Sequence, residues 1–232
     1  MDLMKKVLRF GLNAAMLGGM VLGLSAADEL APLPIQLPKP AFKGTPGNPP
    51  PESTVEKPSD KPRPPFYAPK GCKNLALGKK VTCSDKAPET GTPDLVTDGN
   101  KEAGEQNVLR MRRGTQYVQI DLEKPALIYA ILVWHAHDSP SMIMRDVVVQ
   151  VADDPDFIEN VRTLYNNDQD NSSGLGIGTD REYYETREGK LIDAKGVKAR
   201  YVRLYSKGYF EGENRVGYNP YTEVEVWGIP AD

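Results

Sequence analysis

Apolar and polar residues alternate in short runs through the C-terminal two-thirds of the chain. In Tyr117-Val118-Gln119-Ile120-Asp121-Leu122, Val118, Ile120 and Leu122 fall on one face and Gln119 and Asp121 on the other. That two-residue period belongs to a strand with one face buried. Val202 and Leu204 oppose Tyr201, Arg203 and Tyr205 in the same way. Residues 127–135, 147–152 and 223–227 are equally short and rich in β-branched or aromatic side chains, which pack well on a pleated surface. Glu123-Lys124-Pro125, Asp153-Asp154-Pro155 and Lys195-Gly196 interrupt the runs with turn formers. No long helical period occurs. The pattern predicts an all-β fold, an antiparallel β-sandwich. The roughly 160 residues after Lys70 are enough for one well-cored domain.

The N-terminal third follows other rules. Lys5, Lys6 and Arg9 precede an apolar stretch over 12–24, and Ser25-Ala26-Ala27 supply the small residues of a cleavage site. Residues 1–27 are predicted to be a signal peptide, the apolar stretch falling short of the ~20 residues that span a bilayer. The mature chain is then expected to lack a transmembrane segment and to be secreted, or held in the periplasm or cell envelope. Residues 28–69 hold thirteen of the twenty prolines. Proline fixes φ and removes a donor, and few large apolar residues are present to offset ordering. This stretch is predicted to be a disordered, extended linker, a ligand for a polyproline-binding partner being the sharper alternative. Phe66 and Tyr67 mark the edge of the folded domain, residues 70–232.

Charge narrows the choice of partner. The whole chain carries −3, the leader is positive and the linker balanced, so the domain is the acidic part. A phosphate-binding surface needs a basic patch, which disfavours nucleic acid. Cys72 and Cys83 flank the first strand-like segment, and in an exported protein such a pair is expected to form a disulfide; two free thiols are the alternative.

Six phrases in order carry a family resemblance. Asn74-Leu75-Ala76-Leu77-Gly78-Lys79-Lys80-Val81 comes first, then Val96-Thr97-Asp98-Gly99-Asn100, then Gln116-Tyr117-Val118-Gln119-Ile120-Asp121-Leu122. Val133-Trp134-His135 with Arg145-Asp146-Val147, Ala199-Arg200-Tyr201-Val202-Arg203-Leu204 and Thr222-Glu223-Val224-Glu225-Val226-Trp227-Gly228 follow. Over residues 74–228 the chain resembles the discoidin, or coagulation-factor type C, family of galactose-binding-like domains, which includes many bacterial carbohydrate-binding modules. The resemblance implies a jelly-roll sandwich that binds a glycan or glycoconjugate through loops at one end. It implies a structural calcium ion with Asp98, Asn100 and Glu223 as ligands. His, Arg and aromatic side chains often contact sugar in the family, which points to His135, His137, Arg145, Tyr209, Arg215 and Tyr218. Two departures stand out: residues 101–113 lack the family's tryptophan, and the last strand has no cysteine for the family's terminal disulfide.

Simpler readings stand beside each of these. Asp98-Gly99-Asn100 has the composition of a plain tight turn, and Glu223 could be an ordinary edge-strand acid. On a strand, His135 and His137 would share a face, close enough for one metal ion; they could equally bond a sugar or cap a strand end. Asp168, Asp170 and Ser172 have the 1-3-5 spacing of a calcium loop without its glycine and closing glutamate, so a solvated or surface-packed loop is expected. No Gly-x-Ser-x-Gly elbow, His-Glu-x-x-His or phosphate-cradling loop is present. The expected function is a non-catalytic binding module, with an assembly protein holding an envelope partner as the alternative. A metal-dependent enzyme built on His135 and His137 is a third, minor one.

Overall fold

The computed structural model describes residues 29–43, 53–59, 61–210 and 217–231. The leader expected at 1–27 lies outside the described residues, as does Arg215. Eleven strands follow one another among those described: β1 (Leu30–Pro32), β2 (Tyr67–Pro69), β3 (Lys73–Asn74), β4 (Val81–Cys83), β5 (Leu109–Met111), β6 (Gln116–Trp134), β7 (Val148–Ala152), β8 (Arg162–Asn166), β9 (Lys190–Ser206), β10 (Asn219–Tyr221) and β11 (Glu223–Pro230). The main sheet runs β3-β11-β6-β9-β7-β8, with β4 added on β6; β10 pairs with β5 and β1 with β2. Every pairing is antiparallel.

A long ribbon of β6 and β9 forms the spine. Glu123-Lys124-Pro125 and Lys195-Gly196, expected as turns between strands, are bends inside it. The ladder breaks between Asp121 and Ala126, and again between Ile128 and Ala130. Glu123 (φ 68°), Lys195 (φ 53°) and Gly196 (φ 74°) take left-handed backbone there. Such bulges bend a ladder without ending it. One continuous core gathers Val118, Ile120, Val202 and Leu204 from one end of the ribbon with Val149 of β7, and Ile131, Val133 and Ile192 from the other end with Val224 and Val226 of β11. Apolar side chains from both ends thus meet in a single interior, and the fold is an antiparallel β-sandwich.

A second apolar layer lies on the other face of the sheet. Ala130, Leu132 and Trp134 alternate with the inner residues of β6 and pack with Trp227, Leu191 and Tyr129. Their cover comes from the proline-rich stretch: Leu33, Ile35, Phe66 and Ala68 belong to the same cluster. Where it is described, this stretch is therefore a strap and not the free linker expected of it. Leu33 donates its N–H to Phe66 O at 2.8 Å, and Glu56 N–H to Glu182 O at 2.8 Å. Ser53 Oγ donates to the Glu182 carboxylate at 2.8 Å and Arg63 Nη1 to Gly189 O at 2.8 Å. Proline bars the strap from a longer ladder, but its fixed φ lowers the entropy lost on docking, and the apolar sheet face gives it something to bury.

The expected Cys72–Cys83 disulfide is absent; both cysteines are free. Cys72 packs in the outer layer under the strap, and Cys83 against the inner core with its thiol donating to Asp85 O at 3.2 Å. Their different layers separate them, and the neighbouring strands also join the sheet at different places, β3 on β11 and β4 on β6 at Val118–Ile120.

Candidate functional site

The end of β6 positions the site. Its last residue, Trp134, is fully buried, and its Nε1 donates to Arg187 O at 2.9 Å. The turn above it is closed by Gly189 N–H on Thr186 O at 3.0 Å. Gly189 has φ +62°, and a Cβ there would lie 2.6 Å from the indole, so only glycine lets the turn sit this low. Beside the turn, Tyr184 bridges to Ile143, and Glu185 N–H donates to Met142 O at 2.8 Å.

Between this segment and the strap lies a cavity of about 600 Å³. Tyr183, Tyr184 and Arg187 line it on the sandwich side, Phe42, Lys57 and Arg63 on the strap side, and His137 also reaches it. Two of these residues hold buried polar atoms without a partner: Tyr183 OH and His137 Nδ1. Burial pushes the Tyr183 phenol well above its ordinary value, which keeps it a donor. Burial also lowers the Arg63 guanidinium, against the pull of Glu188.

The two histidines take different partners. His135 is sealed inside, its Nδ1 2.7 Å from Glu185 Oε1 and its ring 4.5 Å from that of Tyr221. The Lys101 carbonyl accepts from His137 Nε2 at 2.8 Å. β6 ends at Trp134, so the strand period that would aim both rings at one ion does not continue through them. Among the described residues, Asp146, Asp168 and Asp170 are the group of metal-ligating side chains within reach of one another, and neither histidine belongs to it. Within that group Asp168 is spent on its own loop. It accepts from Ser172 N–H at 3.1 Å, from Ser173 N–H at 2.8 Å and from the Ser173 hydroxyl. Burial opposes its ionisation, yet the Ser173 donors outweigh it and hold the carboxyl below its usual range.

The turn that carries Asp98 and Asn100 bonds to Glu223 through its central glycine. Asp98 Oδ1 accepts from Asn100 N–H at 2.7 Å, and Gly99 N–H donates to Glu223 Oε2 at 3.1 Å. Glu223 is not an edge acid: β11 lies between β3 and β6, and the side chain is buried with Oε1 unpartnered. Burial pushes its carboxyl up to about 9, against the Gly99 N–H. Next along this loop, Lys101 pairs with Glu225, and its Nζ lies 4.9 Å from the Trp134 ring centroid. Asn100 is engaged within the loop, its Oδ1 accepting from Glu102 N–H and its Nδ2 donating to Asn107.

The other expected sugar contacts gather elsewhere. Arg145 N–H donates to Gly208 O at 2.8 Å, Met144 bridges to Tyr209, and the Tyr209 ring packs over Gly217 and against the inner core. Tyr218 is half-buried beneath the Arg113 guanidinium, 5.0 Å from its ring. Of the described residues of the expected set, His137 alone lines the cavity. Tyr183, Tyr184 and Arg187 were missed. An aromatic pair five and six residues before the turn-forming Gly189 was their only signal, and nothing local tied it to the prolines that face it.

No family model matches the chain, and no curated protein matches it. Solved structures similar to it include a fucose-binding module from Streptococcus pneumoniae, at 20% identity and TM-score 0.48, with 66% of this chain and 96% of that one covered. The CBM32 of AlyQ in complex with 4,5-unsaturated mannuronic acid is similar at 20% identity and TM-score 0.46, covering 63% and 92%. A fucolectin from the serum of striped bass, Morone saxatilis, is similar at 20% identity and TM-score 0.48, covering 72% and 51%. No helix among the described residues is long and apolar enough to cross a membrane.

Proposed function

We propose that this chain is an exported, non-catalytic carbohydrate-binding module whose ligand sits between the strap and the 183–191 segment. The observation that carries this reading is the cavity of about 600 Å³, in which the aromatic rings of Phe42, Tyr183 and Tyr184 stand beside Arg187 and two unpartnered polar atoms. Its size suits a small-molecule ligand. Aromatic faces stack on the apolar side of a sugar ring, and unpartnered donors and acceptors bond its hydroxyls.

A structural calcium ion completes the reading. The donor set fits the ion in kind: Glu223 Oε1 is buried without a partner, Asp98 lies close enough to raise its pKa, and both offer hard oxygens. Asp98 and Glu223 would hold the ion with nearby carbonyls, pinning the 98–101 loop to β11. Its positive charge would favour ionised Glu223.

The test is a glycan array probed with the full chain, in calcium and again in chelator. Binding lost in Arg187→Ala, at an exposed position and with unchanged melting temperature, is the expected result. A blank array with a folded sample would overturn the proposal.

A further inference from the structure

We propose that this cavity selects anionic saccharides, chains bearing carboxylate or sulfate groups, and that the strap supplies part of the charge that selects them. The inference rests on the carbohydrate-binding reading above and names its ligand class.

Charge around the cavity runs against the sign of the molecule. The chain carries −3 overall, yet among the described residues Lys57, Lys61, Arg63, Arg187 and Lys190 line the cavity against two carboxylates, Glu56 and Glu188. Both carboxylates are already engaged. Lys190 Nζ holds Glu56 at 2.6 Å, and the backbone N–H of Arg63 donates to both oxygens of Glu188 at 3.1 and 3.3 Å. Arg187 spends one nitrogen on Pro38 O at 3.4 Å, which leaves most of its donor fork unspent. Lys57 and Lys61 have no carboxylate within ion-pair distance among the described residues.

Such a surplus has a physical consequence. One exposed ammonium attracts an anion weakly in water. Several cations around one concavity add their fields, and low-dielectric walls focus them. Arginine adds shape, since its planar fork matches a carboxylate or sulfate with two parallel hydrogen bonds. The neutral part of the ligand is left to Phe42, Tyr184 and the unpartnered Tyr183 OH and His137 Nδ1. Two of the uncompensated cations, Lys57 and Lys61, belong to the proline-rich stretch, so a segment that reads as a spacer becomes half of a binding site.

The experiment is calorimetric titration of the full chain with two matched pairs of probes. One is tetragalacturonate and its methyl ester; the other is a heparin hexasaccharide and its desulfated, N-acetylated, carboxyl-reduced form. The expected result is that an acidic probe binds about tenfold more tightly than its neutral partner at low salt, with the preference shrinking as salt is raised. Lys57→Glu with Lys61→Glu should remove that preference without moving the melting temperature, since both residues are exposed. Equal affinity for charged and neutral partners overturns the anion inference and leaves glycan binding standing. So does binding of neither acidic probe when the array returns a neutral glycan. A preference that survives the double charge reversal overturns the role of the strap. A chain that binds no glycan on the array or in the calorimeter overturns the carbohydrate-binding reading as well.

Discussion

The two faces of β11 are both buried, by different means. Val224 and Val226 enter the inner core, where β-branched and aliphatic side chains from both ends of the ribbon meet. Glu223, Glu225 and Trp227 lie on the opposite face and are scarcely more exposed, at 0%, 4% and 7%. There the cover is a strap and a loop. Polar atoms are consequently admitted and must be matched: Trp227 Nε1 donates to Glu225 Oε2 at 2.8 Å, and Lys101 pairs with the same carboxylate. The inner face is closed by the sandwich itself. The outer face is closed by contacts at long sequence distance, with charge in the seam and a cavity beside it.

The contrast breaks most sharply inside. Leu204→Ala, at a fully buried inner position, should cost about 3–4 kcal/mol, the transfer term plus a cavity that the sandwich cannot collapse. Chemical denaturation with an unchanged m-value would register it. Leu33→Ala, on the strap at 9% exposure, should cost about 2 kcal/mol, because a single covering layer can relax into the gap. Dye binding to the uncovered Trp134 face should rise with it. If Leu33→Ala proves as costly as Leu204→Ala, the two layers are one cooperative core.

Glu223 sharpens the comparison through pH. Its folded carboxyl lies near 9 against an ordinary value of 4.5, so the folded state favours the neutral form. That contribution is fully present below about 4.5 and is lost as pH rises toward about 9. Without calcium, thermal stability should therefore fall across this window. Glu223→Gln should flatten the profile, removing a fall that linkage puts at up to about 5 kcal/mol by pH 8. Added calcium should restore the wild type and leave Glu223→Gln unmoved; a flat wild-type profile would contradict the assignment. The smallest effect belongs to the exposed pair of Glu29 and Lys70 at the strap's fastening, 3.2 Å apart. Glu29→Gln should shift stability by less than about 0.5 kcal/mol, as exposed pairs do, measured by thermal melts in low and high salt.

Much of the sandwich was legible in its alternation. Val118, Ile120, Val202 and Leu204 face inward as their period requires. The outer layer also left a trace that the strand period alone did not resolve. Residues 127–134 are apolar on both faces, which is the mark of a strand covered twice, and Ala130, Leu132 and Trp134 are the residues the strap covers. The edge-strand alternative for Glu223 fails, because β11 lies inside the sheet and a loop and a lysine cover that face. His135 and His137 misled because two ring nitrogens at strand spacing share a face only while the strand continues.

What the sequence by itself determined are the properties local spacing can encode: which segments are extended, which of their faces are apolar, where turn formers interrupt them, and that an Asp-Gly-Asn turn stands in the chain. Only the tertiary structure decided what covers the outer face, that Cys72 and Cys83 lie on opposite sides of a sheet, and that lysines of the strap meet the arginine of a turn more than a hundred residues away. Burial of the outer face, pairing of charges and the walls of a cavity are contacts between distant segments. No local period records them, because the free energy that selects them comes from surfaces that exist only once the sheet has formed.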